Sequence, residues 1–212
     1  MGLALDHAMN AACNAASELL DQYAPVEIRC ERYVEREPHP GGQAAYTMRA
    51  RFPWHREPHT RVMVEVTMDE EVLREPVECR VMHEYGEDFD AQVHVYSLEE
   101  IVAEKLRAVL QHARKLSERG WSRSRARDFY DVWRILGTHE GEMDLDGFAE
   151  LLSKKCSLRG VAFTSPDDFF QATMLAHVER TWEQWLGPLV PRLPSFETVI
   201  RELRPRIATL CQ

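Results

Sequence analysis

The residues most able to do chemistry are a lysine and two aspartates that stand at unusual places in two helical patterns. Apolar residues recur at three- and four-residue steps from Leu98 to Leu116, which is the spacing of an amphipathic helix, and Lys105 falls inside the edge of this apolar face. Because an ammonium group is almost never buried unpaired, two interpretations are open. The stem of Lys105 packs while its head reaches water, or the head lines a cleft and binds a carboxylate or a phosphate.

The two aspartates belong to a second helical pattern, Arg127–Leu136. Asp128 stands at the margin of its apolar face, and Asp131 follows about one turn later, so the two carboxylates are neighbours. The helix dipole also favours an acid near a helix N-terminus, which gives Asp128 a purely structural explanation beside the chemical one. We expect Asp131 to be the more exposed of the two.

A basic segment joins the two helical patterns. Residues 113–127 contain six Lys or Arg and one Glu, although the whole chain has a net charge of −9. That net charge argues against nucleic-acid binding by the surface at large, so any contact with RNA must be local. The segment is either a solvated loop or a phosphate-binding surface. Its place between Lys105 and the aspartates favours phosphate contact by Arg123, Arg125 and Arg127.

The two patterns contain motifs that resemble those of a known family. The runs E-E-I-V-A-E-K-L-R-A-V-L at 99–110 and R-D-F-Y-D-V-W at 127–133 are similar to the paired C-terminal motifs of the AbiEii/AbiGii toxins. These are nucleotidyltransferase-like toxins of bacterial type IV toxin–antitoxin systems. The resemblance implies that Lys105 is the active-site lysine, which contacts the nucleotide phosphates. It also implies that Asp128 is the acid of the last motif, with Asp131 beside it in the catalytic set.

The family resemblance also implies a function. The chain would transfer a nucleoside monophosphate from an NTP to an RNA acceptor, with tRNA as the expected acceptor, in a toxin–antitoxin or phage-defence system with a cognate antitoxin. Such transfer requires a divalent metal, here Mg²⁺, because phosphate charge must be neutralised and the attacking oxygen placed in line. Glu65, on the third predicted strand, is the candidate for a further metal-binding carboxylate, although it also fits a solvated strand face.

One part of the family pattern is missing from the sequence. The family supplies metal ligands through a G-S…D-x-D element before the first long helix, and the 212 residues contain no Gly-Ser pair. Two look-alikes of D-x-D, at Asp88–Asp90 and Asp144–Asp146, are better explained as a hairpin turn and a helix cap. We therefore expect either that the sequence starts late relative to the family or that it is a reduced relative.

Two other functions stay open. A catalytically inactive relative would keep the scaffold and the basic segment and act as an RNA- or protein-binding module. It would bind RNA without NTP, and more weakly as salt increases. A purely structural partner in a regulatory complex would bind neither nucleotide nor RNA.

The elements that must position these residues follow a simple order. A helix at about 3–23 precedes five strand patterns, at about 26–34, 44–52, 61–68, 77–83 and 92–96. The two helices described above come next. Three further helices follow them, at about 145–155, 166–186 and 196–209. Ser97 and Glu100 form a capping-box pattern before the lysine helix. We place Glu100, Glu104 and Arg107 on the wet side of that helix.

This order of strands first and helices later predicts an α+β fold. We expect a nucleotidyltransferase-like mixed sheet with flanking helices in a partial domain over residues 1–97, followed by a helical bundle over 98–212.

The composition is that of an ordinary globular protein, with 44% hydrophobic and 29% charged residues. Five cysteines without C-x-x-C spacing argue against a disulfide framework or a zinc site. No apolar run approaches the roughly 18 residues of a transmembrane helix, and the N-terminus lacks a secretory signal pattern. We therefore expect a cytoplasmic protein with no membrane partner.

Overall fold

The computed structural model describes residues 2–34, 43–58, 60–67, 70–82, 91–120 and 123–212. The chain divides into two compact units, Met1–Glu71 and Val72–Gln212. The division lies earlier than the boundary expected after residue 97, because the last two strands belong to the helical unit rather than to the first one.

The N-terminal unit is a helix packed on a small sheet. Helix α1 (Gly2–Asp21) is followed by strands β1 (Glu27–Tyr33), β2 (Gln43–Arg51) and β3 (Thr60–Thr67), which form an antiparallel sheet in the order β1-β2-β3. The hydroxyl of Tyr46 donates to Asp6 at 2.7 Å, and the hydroxyl of Ser17 accepts the N–H of Ile28 at 3.1 Å, so polar contacts tie α1 to the strands.

The C-terminal unit is mainly helical. A hairpin of β4 (Val77–Arg80) and β5 (Gln92–Val95) precedes α2 (Leu98–Arg119) and α3 (Ala126–Thr138). Helices α4 (Phe148–Leu158), α5 (Ala172–Leu186) and α6 (Phe196–Leu210) complete the unit. Helix α3 contacts α2, α5 and α6, and α2 also contacts α4. The predicted helices and strands are present with ends shifted by a few residues, except that the helix predicted over 166–186 is a 3-10 helix, Pro166–Phe170, followed by α5.

The predicted α+β class is confirmed, but the strands pair differently from the expected mixed sheet. Every strand pair in the described residues is antiparallel, and the strands form two separate sheets. The physical reason is connection length: consecutive strands joined by short segments pair as hairpins, whereas a parallel pair needs a crossover of a dozen or more residues.

The core of the C-terminal unit holds α2 and α3 in place. Aromatic rings from three helices meet there: Phe129 of α3 lies 6.5 Å from Phe196 of α6, and Trp182 of α5 lies 5.3 Å from Phe196, measured between ring centroids. The indole N–H of Trp133 donates to Glu202 at 2.8 Å, which joins α3 to α6. Both apolar packing and a hydrogen bond therefore fix the position of α3.

Two further observations bear on the expectations from composition. None of the helices in the described ranges combines the length and the apolar character that a membrane span requires. All five cysteines are free thiols.

Candidate functional site

Helices α2 and α3 bring the lysine and the two aspartates together. Leu106 on α2 and Phe129 and Val132 on α3 are buried where the helices pack. Lys105 precedes Leu106, and Asp128 precedes Phe129, so both charged side chains leave the edge of the same interface. Their approach follows from burying the two apolar faces against each other.

Four charged side chains from these elements form a chain of contacts, here called the ion cluster: Arg125, Asp128, Lys105 and Asp131. The Lys105 ammonium lies 2.6 Å from Asp131 Oδ2 and 3.5 Å from Asp128 Oδ1. Arg125 Nη1 donates to Asp128 Oδ2 at 3.1 Å. The two cations and two carboxylates alternate, so the positive charge is neutralised within the protein.

The ion cluster decides between the two interpretations of Lys105. The ammonium meets carboxylates, and the side chain is still 25% exposed, so the cluster opens to solvent on one side. The carboxyl side chain of Asp131 is 40% exposed and that of Asp128 is 17% exposed, which confirms that Asp131 is the more accessible acid. A phosphate group can therefore approach Lys105 from solvent, in competition with Asp131.

The three arginines predicted to contact phosphates have different surroundings. Arg125 belongs to the ion cluster, and Arg123 is exposed just before it. The guanidinium of Arg127 lies over the ring of Trp185, 5.6 Å from its centroid. This cation–π contact joins Arg127 of α3 to α5.

A pair of histidines lies behind Arg125. His112 of α2 is fully buried, and its ring centroid is 5.4 Å from that of His177 in α5. Burial, and then the positive charge of Arg125, lowers the pKa of His112 to about 4. His112 follows Lys105 by two turns of α2. His112 lies three residues after Val109 and four residues before Leu116. This helical spacing was the signal in the sequence for its burial.

A second set of charges, on the other side of α2, was not predicted. Lys155 of α4 and Glu100 of α2 form an ion pair, and both side chains are almost completely buried. Lys155 Nζ is also 3.2 Å from Glu104 Oε1, and Arg107 donates to Glu104 at 2.8 Å. Burial opposes the charge of Lys155, but its contacts with Glu100 and Glu104 raise its pKa above the ordinary value.

These contacts correct two expectations for α2. We expected Glu100, Glu104 and Arg107 to lie in water, but α4 covers that face of the helix. The capping box is only half present. Ser97 accepts the N–H of Glu100 at 3.2 Å, while the Glu100 carboxylate accepts the N–H groups of Leu73 and Arg74 instead of reaching back to Ser97. The sequence did contain a signal for the burial of Lys155: it follows Leu151 by four residues and so lies on the apolar face of α4.

The donor chemistry of the ion cluster fits Mg²⁺ in part. This ion takes one or two protein carboxylates and completes its shell with phosphate oxygens and waters, and Asp128 and Asp131 are two such carboxylates around one ammonium. Across the part of the chain that the structure describes, three or more His, Cys, Asp or Glu side chains are nowhere grouped to hold a metal ion. Glu65 is exposed on β3 in the N-terminal unit, and its role as a metal ligand stays a prediction.

The two D-x-D look-alikes have different outcomes. Asp88–Asp90 lies outside the described residues. Asp144 lies before α4, where one carboxylate oxygen accepts the N–H of Asp146 at 3.2 Å and the other is 3.6 Å from Arg74. Because Gly147 is the N-cap of α4, the pair of aspartates forms a turn before the helix, and the predicted helix cap is wrong.

Comparison with known proteins covers nearly the whole chain. A family model described as the nucleotidyl transferase AbiEii toxin of the type IV toxin–antitoxin system matches residues 4–202. A search of curated proteins gives no significant match. The family match includes both helices of the ion cluster and the sheet of the N-terminal unit. The chain therefore belongs to the AbiEii family of nucleotidyl transferase toxins of type IV toxin–antitoxin systems.

Proposed function

We propose that this toxin transfers a nucleoside monophosphate from an NTP to an RNA acceptor, with tRNA as the acceptor and Mg²⁺ as the metal. The observation that supports the proposal most strongly is the ion cluster, in which Lys105 contacts two carboxylates and stays open to solvent. Family membership supports a nucleotide substrate and an antitoxin partner. The geometry of the ion cluster supports the way in which we propose that the chain binds the phosphates.

Lys105 binds the triphosphate in this proposal. Phosphoryl and nucleotidyl transfer depend mainly on positioning and on charge stabilisation, so a cation aimed at the phosphates carries much of the catalytic effect. An incoming phosphate takes the place of Asp131 beside Lys105, because the Asp131 carboxylate is the more exposed partner. The released carboxylate is then available to Mg²⁺ or to the acceptor.

Asp128 has a supporting role. Its carboxylate is held by Arg125 on one side and faces Lys105 on the other, so it remains in place when Asp131 leaves. Asp128 would hold Mg²⁺ or orient the acceptor hydroxyl. Bound Mg²⁺ would neutralise charge on the phosphates.

The basic segment would guide the acceptor. Arg123 and Arg127 are close in sequence to Arg125 of the ion cluster, and Arg127 also contacts Trp185. RNA backbone contact by these arginines is local, as the net charge of −9 requires. We place the reaction in the cytoplasm, in keeping with five free thiols.

The proposal is tested with the purified chain, Mg²⁺, labelled NTPs and pooled tRNA. We expect label to enter the RNA with the wild type and with Lys154→Ala, an exposed lysine on α4. Lys105→Ala should lose transfer by about 10²–10³-fold, the usual effect of removing one charge-stabilising donor, with unchanged circular dichroism. Full activity of Lys105→Ala would refute the role of this lysine.

The same experiment separates the proposal from an inactive binding module. Absence of transfer with any NTP, together with NTP-independent RNA binding that weakens as salt rises, would replace the transferase by the binding module. Charge-removing variants in the basic segment, such as Arg123→Gln, would then weaken RNA binding, while Lys105→Ala would have little effect because its ammonium is already paired.

A further inference from the structure

Buried polar atoms without partners gather at one place beside the ion cluster. Among the described residues, both ring nitrogens of His112, Nε2 of His177 and Nε of Arg125 are buried and make no hydrogen bond. Buried polar groups are nearly always hydrogen-bonded, and a buried group without a partner costs about 1–3 kcal/mol of stability. These four atoms therefore need polar partners that the described part of the chain does not supply.

The polar atoms indicate which hydrogen bonds a ligand would have to make. Arg125 Nε can only donate. His112 is neutral at physiological pH because its pKa is about 4, so one of its two ring nitrogens also carries a hydrogen to donate. The positive charges of Arg125 and Lys115 also disfavour a second proton on His112. The other ring nitrogen of neutral His112 accepts a hydrogen bond, so a ligand that fits offers several acceptor oxygens and one O–H, as hydrogen phosphate does.

The start of α3 lies in the same region. Arg125 is the N-cap residue of this 13-residue helix, and its own side chain makes no capping hydrogen bond. Ser124 accepts the N–H of Ala126 at 3.2 Å, and its hydroxyl is 2.6 Å from that of Thr181, which ties the segment to α5. The residues around Arg125 are therefore held against α5, the helix that carries His177.

We propose that Arg125, His112 and His177 form a phosphate-binding subsite next to the ion cluster. Arg125 donates one N–H to Asp128 and offers Nε to the phosphate, and the two imidazoles contact the phosphate from the helices behind it. The Arg125 side chain is 26% exposed, so the subsite lies close to solvent although Nε itself is buried. Arg125 thereby connects the bound phosphate to the carboxylate that faces Lys105.

The source of the phosphate follows from the proposed function, on which only this part of the inference rests. A triphosphate bound at Lys105 and the backbone of an RNA acceptor both present phosphate oxygens within the same region. The subsite itself is independent of that source, because inorganic phosphate carries the same acceptor oxygens.

The test observes the histidine side chains of the whole protein directly. Long-range ¹H–¹⁵N spectra of ¹⁵N-labelled wild type are recorded at neutral pH and constant ionic strength while inorganic phosphate replaces chloride. We expect saturable shifts of the His112 and His177 ring signals in the millimolar range. The signal of His139, a partly exposed histidine paired with Glu142, should not move. His177→Gln assigns the signals, since His177 is only partly buried.

Two arginine variants show whether a specific contact or general charge attracts the phosphate. Arg125→Gln should weaken phosphate binding by about tenfold, the effect of losing a charge-assisted hydrogen bond of about 1.4 kcal/mol. Arg134→Gln removes the same charge from an exposed site on α3 and should leave the dissociation constant unchanged. Histidine signals that do not respond to phosphate, or that respond equally to chloride, would overturn the subsite and indicate internal water there.

Two further arms distinguish the sources and keep the two proposals separate. A non-hydrolysable NTP and a short RNA are titrated separately, and the one that reproduces the shifts of His112 and His177 occupies the subsite. Shifts with phosphate but no nucleotide transfer would refute the proposed function and keep the subsite. Transfer that depends on Lys105, without any shift, would refute the subsite and keep the function.

Discussion

Replacing Lys155 by methionine tests the buried charges that hold the start of α2. Methionine keeps the length and most of the packing of the lysine stem, so Lys155→Met removes the charge and leaves the shape nearly unchanged. Lys155 is paired with Glu100 at the centre of the C-terminal unit, and both are almost fully buried. The variant therefore leaves a carboxylate in the interior without its ammonium partner.

The expected loss of stability depends on which contacts the carboxylates of Glu100 and Glu104 retain in the variant. Removing one partner of a buried ion pair destabilises a protein by about 3–5 kcal/mol. Glu100 retains the N–H groups of Leu73 at 3.1 Å and Arg74 at 3.2 Å, and Glu104 retains Arg107 at 2.8 Å. Because these contacts stay in the variant, we expect a loss near the lower end, about 3 kcal/mol.

Urea unfolding followed by far-ultraviolet circular dichroism measures this loss, since the helical C-terminal unit supplies most of the signal. A loss of about 3 kcal/mol lowers the midpoint by about 1–2 M without changing the m-value. The matched control is Lys154→Met, the exposed neighbour on the same helix, which should change stability by no more than about 0.5 kcal/mol.

A double variant separates the unpaired charge from lost packing. Glu100→Gln combined with Lys155→Met removes both charges, so it should be more stable than Lys155→Met alone. If Lys155→Met unfolds at the same urea concentration as Lys154→Met, the lysine is not buried against Glu100 and the reasoning fails. If the double variant is no more stable than the single one, the loss comes from packing rather than from charge.

Three smaller predictions concern His112, Gly120 and Ser97. Because the unfolded chain binds a proton at His112 near pH 6.5 and the folded one only at about 4, stability should fall by about 3 kcal/mol as the pH drops through this interval, and urea titrations should show a flatter pH dependence in His112→Gln. Gly120 ends α2 with a φ of 72°, so Gly120→Ala should destabilise by about 1 kcal/mol although no described residue outside its chain neighbours lies within 4 Å of the new methyl group. Ser97→Ala should cost about 1 kcal/mol in the same assay by removing the cap on the N–H of Glu100, and a loss below about 0.3 kcal/mol would contradict the cap.

The sequence alone predicted the elements of this fold and the place of Lys105 on one of them. Apolar spacing located α2 and α3, and the same spacing put Lys105 and Asp128 at the margins of two faces that had to be buried. Their meeting follows almost directly, because two amphipathic helices in one small core bury their apolar faces against each other. The motifs around these residues also led to the family, which the match over residues 4–202 confirms.

Only the tertiary structure decided which charges are buried. Hydrophobic periodicity describes one helix at a time, so it marks Glu100 as polar and therefore exposed. Its burial depends on α4, which brings Lys155 from more than fifty positions along the chain. The sequence likewise marks Arg125 as part of a basic segment. The three-dimensional structure places it between the buried His112 and the carboxylate of Asp128, because α2, α3 and α5 pack around that point. The sequence thus determines local exposure along each helix, whereas the identity of each charged partner depends on long-range packing, which no local pattern encodes.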